Sequence, residues 1–248
     1  MISMGNYPNP PITESLFDFQ VEPNASITSE NLEKLADQVT ESYPEKKPRR
    51  RFESRFEFKE GQSGQPQTVD LGIEGYLCWN QDKTQALQFR LNGYSFSRLK
   101  PYKGWDIAYP EAIKYWEKYL SLAKPISVRR LAVRFINMIN IPAKKFDLDH
   151  YFSLPPQTPN ITGIDIKNFL TQVTFQMPEQ GMQVTLIQTI GQSQDPISTP
   201  IILDIELGVD VQQDIDKTSI EKIFKDLRKA KNDIFEKCIT NRTRVLFQ

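Results

Sequence analysis

Between Val128 and Pro142 the chain reads VRRLAVRFINMINIP, and its apolar side chains recur at every second position. Leu131, Val133, Phe135 and Ile139 share one face of an extended chain. Arg130 and Arg134 share the other, with Ala132 between them. Side chains alternate across a strand with period two, so this spacing predicts a strand with one buried face, running through the centre of a sheet. Asn137 falls on the apolar face.

The same period marks further strands. Ile12–Val21 sets Phe17 and Phe19 against Leu16 and Asp18. Arg49–Lys59 sets Phe52, Phe56 and Phe58 against Arg51, Glu53, Arg55, Glu57 and Lys59, which predicts a half-buried antiparallel strand with a charge ladder on its wet face. Val69–Asn80 and Thr84–Leu99 read as strands joined at Gln81-Asp82-Lys83. In the second of these Leu87, Phe89 and Leu91 share a face, Arg90, Tyr94, Phe96 and Arg98 take the other, and Gly93 marks a bulge between them. Phe169–Met177 and Met182–Ile190 form a hairpin about Pro178–Gly181. Pro200–Val211 carries Ile201, Leu203, Ile205, Leu207 and Val209 on one face and Asp204 and Glu206 on the other, and Arg242–Phe247 reads as a short closing strand.

A period near 3.6 appears three times. Leu32, Leu35, Ala36, Val39 and Tyr43 predict a helix over 29–43, with Ser26, Thr28 and Ser29 as candidate caps. Ile107, Ala112, Ile113, Trp116, Tyr119 and Leu120 predict one over 106–123, with Pro110 in its first turn. Ile220, Ile223, Phe224, Leu227, Ile234, Phe235 and Cys238 predict one over 219–240, opened by a capping box of Thr218 and Glu221. Strands grouped together, with helices between the groups, favour an antiparallel α+β fold over a doubly wound parallel sheet. The order of elements predicts two similar halves in tandem, residues 1–142 and 143–248, each an antiparallel sheet on one long helix. A continuous domain is the alternative.

Composition narrows the function classes. Lys plus Arg and Asp plus Glu are 31 each. A chain of zero net charge lacks the basic excess of a general nucleic-acid binder. No apolar run approaches the ~20 residues that span a bilayer, and the first residues, MISMGNYPNPP, do not have the pattern of a signal peptide. Two isolated cysteines, Cys78 and Cys238, fit free buried thiols in a reducing cytosol. The single histidine, His150, argues against His-based metal or triad chemistry. No glycine-rich phosphate loop, clustered cysteines, HExxH or GxSxG occurs, so the sequence singles out no catalytic residue, metal set or cofactor.

Three groups of residues could still carry chemistry. Arg130, Arg134 and Asn137 could form an anion-binding face, or the arginines could pair with Asp204 and Glu206 of a neighbouring strand. Asp204 and Glu206 could instead serve acid–base or metal chemistry. Arg98, Tyr102 and Trp105, in a loop rich in aromatic and basic residues, could stack a base or pack a ligand, or simply staple the loop to the following helix.

Four stretches together resemble a known family. They are NPPITE (Asn9–Glu14) with the LFDF strand that follows, FSRLKPYKGW (Phe96–Trp105), VRRLAVRFIN (Val128–Asn137) and NDIFEKCIT (Asn232–Thr240). In order and spacing they are similar to the successive blocks of a conserved hypothetical family of unknown function, scattered among cyanobacteria and other bacteria, whose typical members have tyrosine at the position of Phe135. The resemblance brings no assigned activity. Its patchy distribution implies an accessory role of the toxin–antitoxin or defence type. The leading expectation is therefore a cytosolic, non-catalytic module that binds a protein partner or a small anionic ligand between sheet and helices. The alternatives are a metal-dependent hydrolase or nuclease built on Asp204 and Glu206, and a nucleic-acid binder built on Arg98, Tyr102, Trp105 and the Arg49–Arg55 strand.

Overall fold

A computed structural model describes residues 7–55, 67–157, 159, 166–192, 195, 197–211 and 216–248. Nine strands form one antiparallel sheet: β1 (Ile12–Glu22), β2 (Glu45–Arg55), β3 (Gln67–Trp79), β4 (Gln85–Arg90), β5 (Gly93–Leu99), β6 (Ser127–Ile141), β7 (Leu170–Met177), β8 (Met182–Ile190) and β9 (Thr199–Asp210). Their spatial order is β2-β3-β4-β5-β1-β6-β9-β8-β7. The helices are α1 (Ser29–Asp37), α2 (Trp105–Ala123), α3 (Lys217–Cys238) and the short α4 (Asn241–Arg244).

The fold is α+β with a central β6, as the alternation predicts, but the tandem arrangement gives way to a single sheet. Residues 1–142 supply six strands and residues 143–248 supply three. β6 pairs with β9 over twelve register positions, from Arg130 opposite Asp210 to Ile141 opposite Thr199, so the sheet crosses the expected boundary without a break. α1 and α2 lie before β6 in the chain, and α3 follows β9.

Side chains directly opposite one another in an antiparallel ladder share a face, so the register fixes what each face carries. One row runs Tyr76, Phe89, Tyr94, Phe19, Leu131, Val209 and Met182; the next includes Leu87, Phe96, Phe17, Val133, Leu207 and Val184. The helices cover this face. Trp116 of α2 stacks on Phe19 at 4.6 Å between ring centroids, and Phe224 of α3 lies 5.0 Å from Phe19 and 5.9 Å from Phe17. Each such aromatic pair contributes about 0.5–1.5 kcal/mol beyond its area burial. The opposite face carries Asp18, Arg90, Arg130, Arg134, Asp204 and Glu206.

Several local expectations are corrected. Thr84–Leu99 is two strands joined by a tight turn at Leu91-Asn92, so Leu87 pairs with Phe96 and Phe89 with Tyr94 on the same face, and Arg98 joins them on the helix side. A turn between the strands reverses the chain where a bulge would only have shifted its phase. β2 begins at Glu45 and is an edge strand; Phe52 on it is exposed, and Phe56, Phe58, Glu57 and Lys59 lie outside the described residues. The first helix ends at Asp37 and passes into turns. Pro110 sits in the second turn of α2, since that helix starts at Trp105, and it deprives the Asp106 carbonyl of its helical donor. α3 is capped two residues earlier than expected: the Asp216 carboxylate accepts from Ser219 N–H at 2.8 Å. Residues 241–247 form helical turns in place of a strand.

Two glycines are fixed by close approach. A Cβ on Gly75 would lie 2.1 Å from the Phe89 backbone oxygen, and one on Gly208 would lie 2.3 Å from the Arg130 guanidinium. Backbone in the middle of a sheet cannot yield, whereas a guanidinium can swing away. Gly75→Ala should therefore destabilise by about 2–3 kcal/mol, and Gly208→Ala by less than half as much, in urea unfolding followed by far-UV circular dichroism. Equal losses would refute this account of the two positions.

Candidate functional site

Arg130 and Arg134 of β6 face away from the helices, and each meets a carboxylate of β9. Arg130 Nη2 donates to Glu206 Oε1 at 2.9 Å, passing over Gly208, while Arg134 Nε donates to both oxygens of Asp204 at 3.0 Å. The pairing raises the Arg134 pKa above its ordinary value. Arg134 and Asp204 form a forked pair of the geometry that favours guanidinium–carboxylate bonding. Asp18 and Arg90 extend the ladder at 2.6 Å. Of the two readings open for this group, the geometry is that of cross-strand pairing. Asp204 and Glu206 are both engaged by guanidiniums. The only cluster of three potential metal ligands among the described residues is Asp147, Asp149 and His150, all exposed and away from this ladder.

Asn137 lies on the helix side, fully buried. Its amide Nδ2 donates to the carbonyl of Leu203 at 2.9 Å, bracing β6 against β9, and its Oδ1 has no hydrogen-bond partner among the described residues. Arg98 is also buried there, its Nη1 2.9 Å from Glu111 Oε2 of α2. The basic edge strand β2 is laced with acids: Lys46 with Glu33 and Asp37, Arg49 with Glu74, Arg50 with Asp70.

Tyr102 and Trp105 have a different setting. Trp105 opens α2 and stacks on Tyr109 at 5.5 Å and Phe135 at 6.4 Å; Tyr102 meets Phe135 edge-on at 5.9 Å. They staple the loop to the core, and with Lys103 and Gly104 they also form one wall of a cavity of about 250 Å³. Pro8, Pro10 and Ile12 supply a second wall. Arg228, Lys231 and Asn232 of α3 supply the third. All four stretches that carry the family resemblance thus meet here: Pro10 and Ile12 from the first, Tyr102 to Trp105 from the second, Phe135 beneath Lys231 from the third, and Asn232 from the fourth.

Lys231 is the residue that the sequence reading passed over. It is 3% exposed, and its Nζ sits 4.0 Å from the centroid of the Phe135 ring. A cation–π contact offsets part of the cost of burying an ammonium, but not all of it. Burial, with the like charge of Arg228 one turn away, lowers its pKa to about 7. The signal was in the helical stripe. Phe224, Leu227, Lys231, Phe235 and Cys238 follow one another at spacings of three and four, so a lysine occupies a position that the periodicity assigns to the core. Arg228 lies over the Trp105 ring at 5.4 Å and pairs with Asp106 at 3.0 Å at the rim. The site thus combines a buried amine, a rim guanidinium and aromatic walls, an arrangement suited to a small anion with an apolar or carbonyl-bearing body.

No protein-family model matches the chain, and no curated protein matches it.

The Lys231 shift fixes a pH dependence. The folded state lowers the pKa of this base, so the cost of charging Lys231 in the core is fully present below about pH 7 and fades as pH rises towards the unfolded value of 10.5. Among the described neighbours, Arg228 stays cationic, Tyr7 is raised to about 12, Tyr102 is raised by burial, and Asp106 is paired with Arg228. The stability of the wild type relative to Lys231→Met should rise with pH by roughly 1 kcal/mol per unit over about pH 7–9, measured by urea unfolding. A difference that is flat in pH would remove the buried-amine assignment.

Proposed function

We propose that this protein is a binding module that holds a small anionic ligand in the cavity between the 100–104 loop, the Pro8–Ile12 segment and α3, with Arg228 and Lys231 as the cationic groups and Tyr102 and Trp105 as the packing walls. The observation that carries the proposal is the placement of Lys231 at the floor of a cavity whose rim carries Arg228. The convergence of the four resembling stretches on this cavity supports it. An accessory, non-catalytic role in a cytosolic setting is the context that the resemblance implies. Free, buried thiols agree with that setting: burial raises Cys78 to about 12 and Cys238 to about 11, which makes them inert packing groups.

This reading moves the anion site from the sheet face to the helix face. Arg130 and Arg134 were the first candidates because two guanidiniums on a central strand demand partners; Glu206 and Asp204 meet that demand. Asp106 is the acid at the cavity rim, and Arg228 can exchange it for a ligand carboxylate or phosphate without leaving its stacked position on Trp105.

Thermal-shift titration with acetate, lactate and inorganic phosphate, at ionic strength matched by chloride, tests the proposal. At least one of these anions should raise the midpoint by a few degrees in the wild type and in Arg134→Ala. The rise should be lost in Arg228→Ala and Lys231→Met. Shifts that vanish in Arg134→Ala but survive in Arg228→Ala would return the site to the open sheet face, and no shift with any anion would refute anion binding.

A further inference from the structure

The two edges of the sheet are built differently. A strand at a sheet edge presents backbone N–H and C=O groups to any extended chain, and proteins blunt such edges with charge, proline and bulges. β2 has all three: eight of its eleven residues are charged, Pro48 interrupts it, and its register against β3 shifts at Arg49–Arg50 and again before Phe52. β7, at the opposite edge, has none of them. Its sequence is LTQVTFQM, without a charge or a proline, and it pairs with β8 in an unbroken register over all eight residues.

The apolar rows of the sheet also run out there. On the helix face Phe135, Ile205, Leu186 and Val173 form one cross-strand row from β6 to β7. The first three are buried, whereas Val173 is 47% exposed, and Phe175 in the next row is 38% exposed. Beside them lies a cavity of about 270 Å³ between β7, β8 and the 153–157 segment, with Leu154, Pro155 and Val173 in its walls. The row Thr171, Gln188 and Leu203 lines it along its whole length.

We propose that β7 is the interface of a two-fold dimer: two copies of this chain pair their β7 strands antiparallel, with Val173 opposite its own copy and the partner's Phe175 seated in this cavity. The inference is independent of the anion-binding reading, and the two cavities share no lining residue. The faces restrict the register. Side chains alternate along a strand, so a two-fold axis normal to the sheet keeps each face continuous only where a residue lies opposite itself. With the axis at Val173, Thr171 lies opposite the partner's Phe175, Gln172 opposite the partner's Thr174, and Leu170 opposite the partner's Gln176. Opposed residues have their Cβ atoms about 4.5–5.5 Å apart, so the ring enters in line with the row that lines the cavity. The contact is self-complementary, each copy giving one ring and one cavity. No charge meets another across it, because β7 carries none. A second copy therefore answers the free edge, the unfinished apolar rows and the cavity together.

Sedimentation velocity on the full chain, from low to high micromolar concentration, tests this. The expected result is a reversible monomer–dimer equilibrium. Phe175→Ala, which removes the ring, and Val173→Lys, which sets two ammonium groups against each other at the axis, should each weaken dimerisation at least about tenfold. Both side chains are exposed in the single chain, so far-UV circular dichroism should not change. Phe52→Ala, at the other edge, should leave the equilibrium as it is. Under mild oxidant Val173→Cys should form a disulfide-linked dimer and Gln176→Cys should not, the native thiols being buried. A chain that stays monomeric at every concentration would overturn the proposal and leave this edge to a strand of another protein. A dimer that survives both substitutions, or that links as readily through position 176, would overturn it as well.

Discussion

The aromatic seam between the sheet and its two long helices is the interaction on which the rest of this structure depends. Phe17 and Phe19 of β1 and Phe135 of β6 project from adjacent central strands, and Trp105, Tyr109, Trp116 and Phe224 close over them from α2 and α3. Large rings fill the space between sheet and helix with few rotatable bonds, so the helices are held in one position rather than loosely apposed. Everything at the candidate site follows from that. Trp105 fixes the start of α2 and the loop before it, Phe224 fixes the rotation of α3 about its axis, and that rotation turns Lys231 inwards onto Phe135.

The polar face answers a different constraint. A central strand buried on one side can carry charge only on the other, and two guanidiniums on β6 need anions within reach. β9 supplies them on the same face, and the pairs run diagonally: Arg134 lies opposite Glu206 and bonds Asp204, while Arg130 lies opposite Asp210 and bonds Glu206, so the ladder follows from strand register as much as from side-chain choice. Pairs of this kind, partly open to water, add little net stability each. Their effect is on specificity: slipping β6 against β9 by one residue would turn the arginines into the aromatic seam, and slipping by two would break the match. The ladder thereby protects the register that carries Phe135 to its place under Lys231.

Most of the strand and helix pattern was legible because it depends on local periodicity. The faces of β1, β6 and β9 follow from alternation alone, and cross-strand pairing of Arg130 and Arg134 with Asp204 and Glu206 was foreseeable from their charge and spacing. What was not legible depends on choices that periodicity does not encode. The turn at Leu91-Asn92 lacks a strong turn dipeptide, so one long strand and a hairpin looked alike. The joining of the strands into one sheet was not legible, because the order of elements along the chain does not say whether two groups of strands join edge to edge, and here β6 and β9 do. The cavity was half visible: Tyr102 and Trp105 were picked out by their loop. Lys231 was hidden within a helical stripe whose apolar members were sought, although it stands at a core spacing from Leu227 and Phe235.

The position of Lys231 sharpens the functional argument. A lysine on the buried stripe of a helix costs stability, and an apolar side chain of similar length would fill the same space above Phe135 without the desolvation of an amine. Side-chain packing alone therefore favours methionine or leucine there. Burial and the repulsion of Arg228 both lower its proton affinity. Asp106, the acid nearest the rim, is committed to Arg228. A chain selected only for stability would resolve this in favour of an apolar core. A chain that sets a lysine in the wall of a small cavity beside Arg228 carries that cost, and proteins concentrate such locally unfavourable residues at their sites.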